Sequence, residues 1–147
     1  MVSDSHLREI LDKVKRPCIR YTEATEENVT QADCLIIDCY GLLSSIYRYG
    51  EISYIGGGFG VGIHNVLEAA VYGIPVIFGP NNKKFREAQH LLEQKGGFEV
   101  TGYDDFKRLM DKFLSDEAYL QQAGKAAGNY VNHNAGALEK IMKDITL

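Results

Sequence analysis

From Gly56 to Gly62 the chain carries five glycines in seven residues, and the run continues into Ile63-His64-Asn65. Glycine loses more backbone freedom on folding than any other residue, so such a run is expected where the chain adopts positive φ or approaches a ligand closely. Gly57 and Gly58 are assigned to the site on that ground. A helix is expected to start near His64 or Asn65, with free N–H groups and a dipole that favour an anion such as phosphate. The alternative is a tight turn with no ligand. Glu68 lies three residues after Asn65 and four after His64, which puts all three on one face of that helix. It sits in the apolar run Val66-Leu67-Glu68-Ala69-Ala70-Val71. A buried carboxylate there needs hydrogen-bond donors, and a ribose diol offers two. Otherwise Glu68 stabilises the first helical turn or pairs with a lysine. His64 is either a phosphate donor or a fixture of the glycine loop, and Asn65 has the residue type of a helix cap.

Two further segments have the same character. Asp38-Cys39-Tyr40-Gly41 follows an apolar run and opens another helix. Tyr40 and Leu42 beside Gly41 would flank a nucleobase whose edge the backbone reads; a plain strand-to-helix turn is the alternative. Gly79-Pro80-Asn81-Asn82-Lys83 follows a third apolar run, and Lys83, Lys84 and Arg86 would offset ligand charge or simply form a solvated helix start. No Ser/His/Asp arrangement, metal-ligand cluster or Walker-type lysine is present in the sequence.

The elements that must position these loops alternate. Helical spacing runs over residues 3–15 and is stopped by Pro17. Strands are predicted at 18–21, 34–38, 52–55, 75–78 and 98–101, and helices at 42–49, 65–72 and 84–95, the last ended by Gly96-Gly97. From residue 104 only helices follow, at 104–114, 116–132 and 135–145, as a helical C-terminal segment of the same domain. Strands alternating with helices predict an α/β fold, a Rossmann-like three-layer parallel sheet with helices on both faces. Ligands of such sheets bind beyond the carboxyl ends of the strands, where all three unusual segments lie.

The 147 residues suit one domain. A net charge of −4, from 16 basic and 20 acidic residues, argues against a nucleic-acid module. Cys18, Cys34 and Cys39 have no metal-ligand spacing and read as reduced thiols of a cytosolic protein. No apolar run reaches the length needed to span a bilayer.

The ordered series Asp38-x-x-Gly41-x-Leu43, Tyr54-Ile-Gly-Gly57, and His64-Asn65-x-Leu67-Glu68-Ala69-Ala70-x-x-Gly73-x-Pro75-Val-x-Phe78-Gly79-Pro80 resembles the 3-deoxy-D-manno-octulosonic acid (Kdo) transferases of lipopolysaccharide synthesis. The resemblance spans residues 33–141. It implies one half of a GT-B glycosyltransferase, with the whole chain as its C-terminal nucleotide-sugar-binding domain. It also implies a donor substrate, CMP-Kdo, a lipid A precursor as acceptor, and no cofactor. Base contacts would fall on Tyr40-Gly41-Leu42, and phosphate and ribose contacts on Asn65-Val66-Leu67-Glu68, with Glu68 on the ribose. The general-base carboxylate, the membrane anchor and much of the acceptor site would belong to an N-terminal domain outside this chain, working at the cytoplasmic face of the inner membrane. This chain alone would bind and not turn over. Two positions depart from the family pattern. Leu42 stands where many members carry an acidic residue, and Gly60-Val61-Gly62 lacks the basic residue common in that loop, which shifts charge neutralisation to backbone amides or Lys83. A GT-B enzyme or epimerase using a UDP- or GDP-sugar, and a non-enzymatic nucleotide-binding module, are the competing readings.

Overall fold

The structure is a computed structural model that describes the backbone of residues 4–145 and the side chains of residues 4–134. Residue 3, the first of the predicted N-terminal helix, lies outside the described residues. The chain divides into two compact units, Met1–Ile46 and Tyr47–Leu147.

In the first unit, helix α1 (Asp4–Lys13) buries Leu7 and carries a surface Glu9–Lys13 pair one turn apart, 2.7 Å. Strands β1 (Cys18–Arg20) and β2 (Cys34–Ile36) pair in parallel with Cys18 opposite Cys34. A parallel pair needs a crossover. Here the crossover is made of two 3-10 turns, Tyr21–Glu23 and Val29–Gln31, pinned by reciprocal bonds between Thr25 and Asn28. The predicted helix at 42–49 is divided: α2 covers only Leu43–Ile46, and Tyr47–Tyr49 is a 3-10 turn.

In the second unit, β3 (Ser53–Ile55), β4 (Val76–Phe78) and β5 (Gly97–Glu99) form a parallel sheet in the order β3-β4-β5. Every residue of the central strand, Val76, Ile77 and Phe78, is fully buried. That is why the run has no polar alternation. Alternate residues serve opposite faces. Ile55, Val76 and Phe78 pack with Ala69 and Ala70 of α3 (Leu67–Ala70), with Ala88 and Leu91 of α4 (Arg86–Glu93), and with Ala127 of α6 (Glu117–Ile145). Ile77 on the other face packs with Phe113 of α5 (Tyr103–Ser115) and Ala123 of α6. Helices on both faces of a parallel sheet are the Rossmann-like arrangement expected. Burying a side chain such as Phe78 contributes about 1.5–3 kcal/mol.

Two predicted boundaries are corrected. The helices at 116–132 and 135–145 are one helix, α6, unbroken from Glu117 to Ile145. Its Asn and Gly residues each cost about 1 kcal/mol or less as helix formers, too little to break a helix packed along α3, α4 and α5. The Gly96-Gly97 pair does not cap α4. Lys95 takes the left-handed conformation instead (φ 64°), and the Gly96 amide reaches back to the Leu91 carbonyl, 3.0 Å. Gly96 is small for another reason: a Cβ there would lie 2.5 Å from the Ala127 nitrogen of α6.

Candidate functional site

The glycine loop follows the carboxyl end of β3, as expected. Much of its glycine content answers to the loop's own closure. Gly57 has φ +92°, and a side chain there would run into the Gly62 carbonyl. The Gly60 and Gly62 amides both donate to the Gly57 carbonyl, at 3.0 and 3.1 Å, and the His64 amide donates to Gly56, 3.0 Å. Gly58 lies against Gly79 at the end of β4, where a Cβ would sit 2.5 Å from the Gly79 Cα. Gly60, by contrast, has no neighbour closer to its Cβ position than 3.8 Å. The loop tip is apolar and exposed at Phe59 and Val61. The amides of Gly57 and Gly58 donate to no acceptor among the described residues; Gly57 is half-buried and Gly58 is buried.

The helix beyond the loop starts later than expected, at Leu67. The physical reason is Asn65. Its Oδ1 accepts the Leu67 amide, 2.9 Å, a turn that holds Asn65 outside the helix, whose N-cap position is Val66. His64, Asn65 and Glu68 therefore do not share a helical face. His64 is exposed, and its ring makes no hydrogen bond among the described residues. Val66 is buried, and Leu67 is half-buried. Glu68 is also half-buried and forms no hydrogen bond or ion pair among the described residues. It lies near Tyr47: burial, and after it the Glu68 charge, push the Tyr47 hydroxyl above its ordinary range. The helix is a single turn, running into a turn that ends at Gly73 (φ +71°), whose carbonyl closely faces Gly124 of α6. Its dipole is correspondingly small.

The loop after β4 is held more tightly than its turn-like sequence suggests. Asn82, fully buried, donates to Glu99 Oε1 (2.7 Å) and to the Gly79 carbonyl (2.9 Å). Gln89 Nε2 donates to Asn82 Oδ1, 2.7 Å, and to its carbonyl, 2.9 Å. Lys83 Nζ is engaged with the same Glu99 oxygen, 2.9 Å. Lys83 and then Asn82 hold the Glu99 carboxyl below its usual range. The next link reaches the glycine loop. The Asn81 amide donates to the Gly58 carbonyl, 2.7 Å, and its side chain donates to the Gly60 carbonyl. Glu99, Asn82 and Asn81 thus form a chain of bonds that fixes the glycine loop. None of the three was singled out from the sequence; an asparagine pair after Gly-Pro reads as turn composition alone.

In the first unit, Tyr40, Gly41 and Leu42 follow the end of β2 in a turn. Tyr40 is 77% exposed, and Gly41 has φ +88° with open space where a side chain would be. The turn is anchored by Asp38, whose side chain is only 1% exposed. It accepts from the Thr22 hydroxyl (2.6 Å), the Thr22 amide (3.0 Å) and Arg20 Nε (2.8 Å). The Thr22 hydroxyl first, opposed by burial and aided by the Thr22 amide and Arg20, lowers the Asp38 carboxyl to about 2.

Comparison with known proteins gives a consistent answer. No family model matches the chain. It is 37% identical over 87 residues to the 3-deoxy-D-manno-octulosonic acid transferase of Aquifex aeolicus, covering 58% of this chain and 25% of that protein. It is 28% identical over 149 residues to the transferase of Rickettsia felis, covering 95% of this chain and 31% of that protein. The Chlamydia muridarum transferase is 29% identical over 117 residues, covering 74% of this chain and 27% of that protein. The chain therefore spans about a quarter to a third of the length of these relatives. Among solved structures, the C-terminal CMP-Kdo binding domain of WaaA from Acinetobacter baumannii matches with a TM-score of 0.66 and 20% identity, covering 83% of this chain and 65% of that one. The fold is shared with that domain, and the resemblance read from the sequence is found again in these transferases.

Proposed function

We propose that this chain is the donor-binding part of a glycosyltransferase that transfers Kdo from CMP-Kdo to a lipid A precursor, at the cytoplasmic face of the bacterial inner membrane. The observation that carries the reading is the similarity to Kdo transferases that runs through 95% of the chain. The geometry supports it: the unengaged Gly57 and Gly58 amides follow the carboxyl end of β3, where ligands of parallel sheets bind. Those amides bind the phosphate of CMP, and Glu68, half-buried and without a hydrogen-bond partner among the described residues, accepts from the ribose. Lys83 adds positive charge from the loop after β4. The backbone at Tyr40-Gly41-Leu42 reads the base. The donor is a substrate, and no separate cofactor is needed. A carboxylate outside this chain activates the acceptor hydroxyl, and membrane attachment also lies outside it. This chain alone binds and does not turn over.

A competition series tests the nucleotide. CMP is expected to displace a fluorescent cytidine nucleotide from the chain more strongly than UDP or GDP does. Preference for UDP or GDP overturns the CMP assignment and favours another sugar-nucleotide enzyme of the same fold.

A further inference from the structure

In the second unit, β5 is an edge of the sheet: among the described residues it pairs with β4 and with no other strand. The Val76 amide donates to the Gly96 carbonyl and the Val100 amide to the Phe78 carbonyl, 3.0 Å each. Residues along a parallel strand alternate in direction, so Gly96, Phe98 and Val100 face β4, and the main-chain groups of Gly97 and Glu99 point the other way. Those groups meet no partner among the described residues. They open into a groove of about 650 Å³ bounded by the end of α4 and by α5. Leu92, Phe98 and Leu109 give it half-buried apolar walls.

The charges around the groove are unequal once its internal pairs are set aside. Asp105 already accepts from the Thr101 amide, 3.0 Å, and from Arg108, and Glu99 accepts from Asn82 and Lys83. Lys95 forms no ion pair among the described residues. The Lys112 ammonium lies 4.1 Å from the centre of the Tyr119 ring, which leaves its charge in place. The uncompensated charge along this edge is therefore positive, although the whole chain carries −4. An edge strand with open amides and carbonyls is a template for an added strand, and extended segments bind such edges through main-chain hydrogen bonds. Lysines beside the edge disfavour a second copy of the same chain, which brings the same cations. They favour a segment that carries carboxylates. We infer that the β5 edge accepts an extended acidic segment of a partner protein as a further strand, with Lys95 and Lys112 meeting its carboxylates. Nucleotide binding has no part in this contact.

The probes are three fluorescent peptides, titrated into the chain by anisotropy: one of alternating glutamate and valine, the same peptide N-methylated at every residue, and a lysine–valine counterpart. The glutamate peptide is expected to bind saturably, with amide chemical-shift changes at Gly97 and Glu99 of the isotope-labelled chain. The N-methylated peptide keeps the charge and loses every strand donor, and should bind roughly tenfold or more weaker. The lysine peptide should not bind. Lys95→Asn combined with Lys112→Gln should weaken the glutamate peptide about fivefold. Asparagine suits the first position because Lys95 has φ 64°, a conformation asparagine adopts readily. No saturable binding of the glutamate peptide at millimolar concentration overturns the inference. So does equal binding of the N-methylated or the lysine peptide, since charge or apolar contact alone would then account for it. A chain that self-associates in sedimentation, and that the glutamate peptide fails to dissociate, gives the edge to a second copy and overturns it as well.

Discussion

The two segments expected to meet the nucleotide are built on opposite principles. The turn at 38–42 hangs on one buried charge, Asp38, tied to Thr22 and Arg20, and its glycine stands in open space. The glycine loop contains no charge at all. It is shaped by backbone against backbone, Gly57 on Gly62 and Gly58 on Gly79. The first segment should therefore respond to pH and tolerate added bulk. The second should ignore pH and fail when a single methyl is added at the right place.

The largest expected effect tests the steric side. Gly58→Ala must push Gly79 aside, and overpacking of this kind costs about 1–3 kcal/mol. Gly57→Ala adds a left-handed φ to a clash with backbone and should cost about 3 kcal/mol or more. Gly60→Ala, in the same loop but in open space, should stay within about 0.5 kcal/mol of wild type. Urea unfolding of the three variants reads the contrast, and equal losses at Gly58 and Gly60 would break it.

An intermediate effect belongs to the polar chain that supports the loop. Asn82→Ala removes donors from Glu99 and Gly79 and strands Gln89, at a cost of about 1–3 kcal/mol. Lys83→Ala removes an exposed ion pair to the same Glu99 oxygen and should cost under about 1 kcal/mol. Parity between these variants in thermal unfolding would mean that the network does not hold the loop.

The last effect is the one pH reveals. Asp38 has a folded-state carboxyl at about 2, against an ordinary value of 3.8. Its contribution is fully present above about pH 4 and is lost as pH falls toward 2, because the unfolded state then binds the proton more readily. Asp38→Asn should flatten the wild-type fall in urea midpoint across that interval, and the glycine-loop variants should retain it. A wild-type midpoint constant between pH 4 and 2 would contradict the clamp.

Much of this architecture was legible in the residues. Val76-Ile77-Phe78 is apolar throughout because both faces are covered, and the run bounded by Ile74-Pro75 and Gly79-Pro80 could be read as a buried strand for that reason. What escaped the sequence depended on partners distant along the chain. Gly96 reads as a helix stop, yet it is small because Ala127 of α6 crosses it. The helix expected from Asn65 starts at Leu67 because an asparagine can sit just outside a helix as readily as inside its first turn, and only the bond to Leu67 decides. Asn82 and Glu99 are 17 residues apart, and their contact follows from β4 and β5 lying side by side. Five glycines in a row of seven were read as room for a ligand. Gly57 also answers to the loop's own packing and Gly58 to Gly79 at the end of β4, while Gly60 is free of such contacts.

The central claim is that nucleotide binding lies at the carboxyl ends of the strands and uses the amides the loop leaves unengaged. Titration of the isotope-labelled chain with CMP, followed by amide chemical shifts, tests it most directly. Saturable shifts at Gly57, Gly58, Leu67 and Glu68 are predicted, with α5 and the second half of α6 unmoved. No shifts at millimolar CMP, or shifts confined to α5 and α6, would contradict the account.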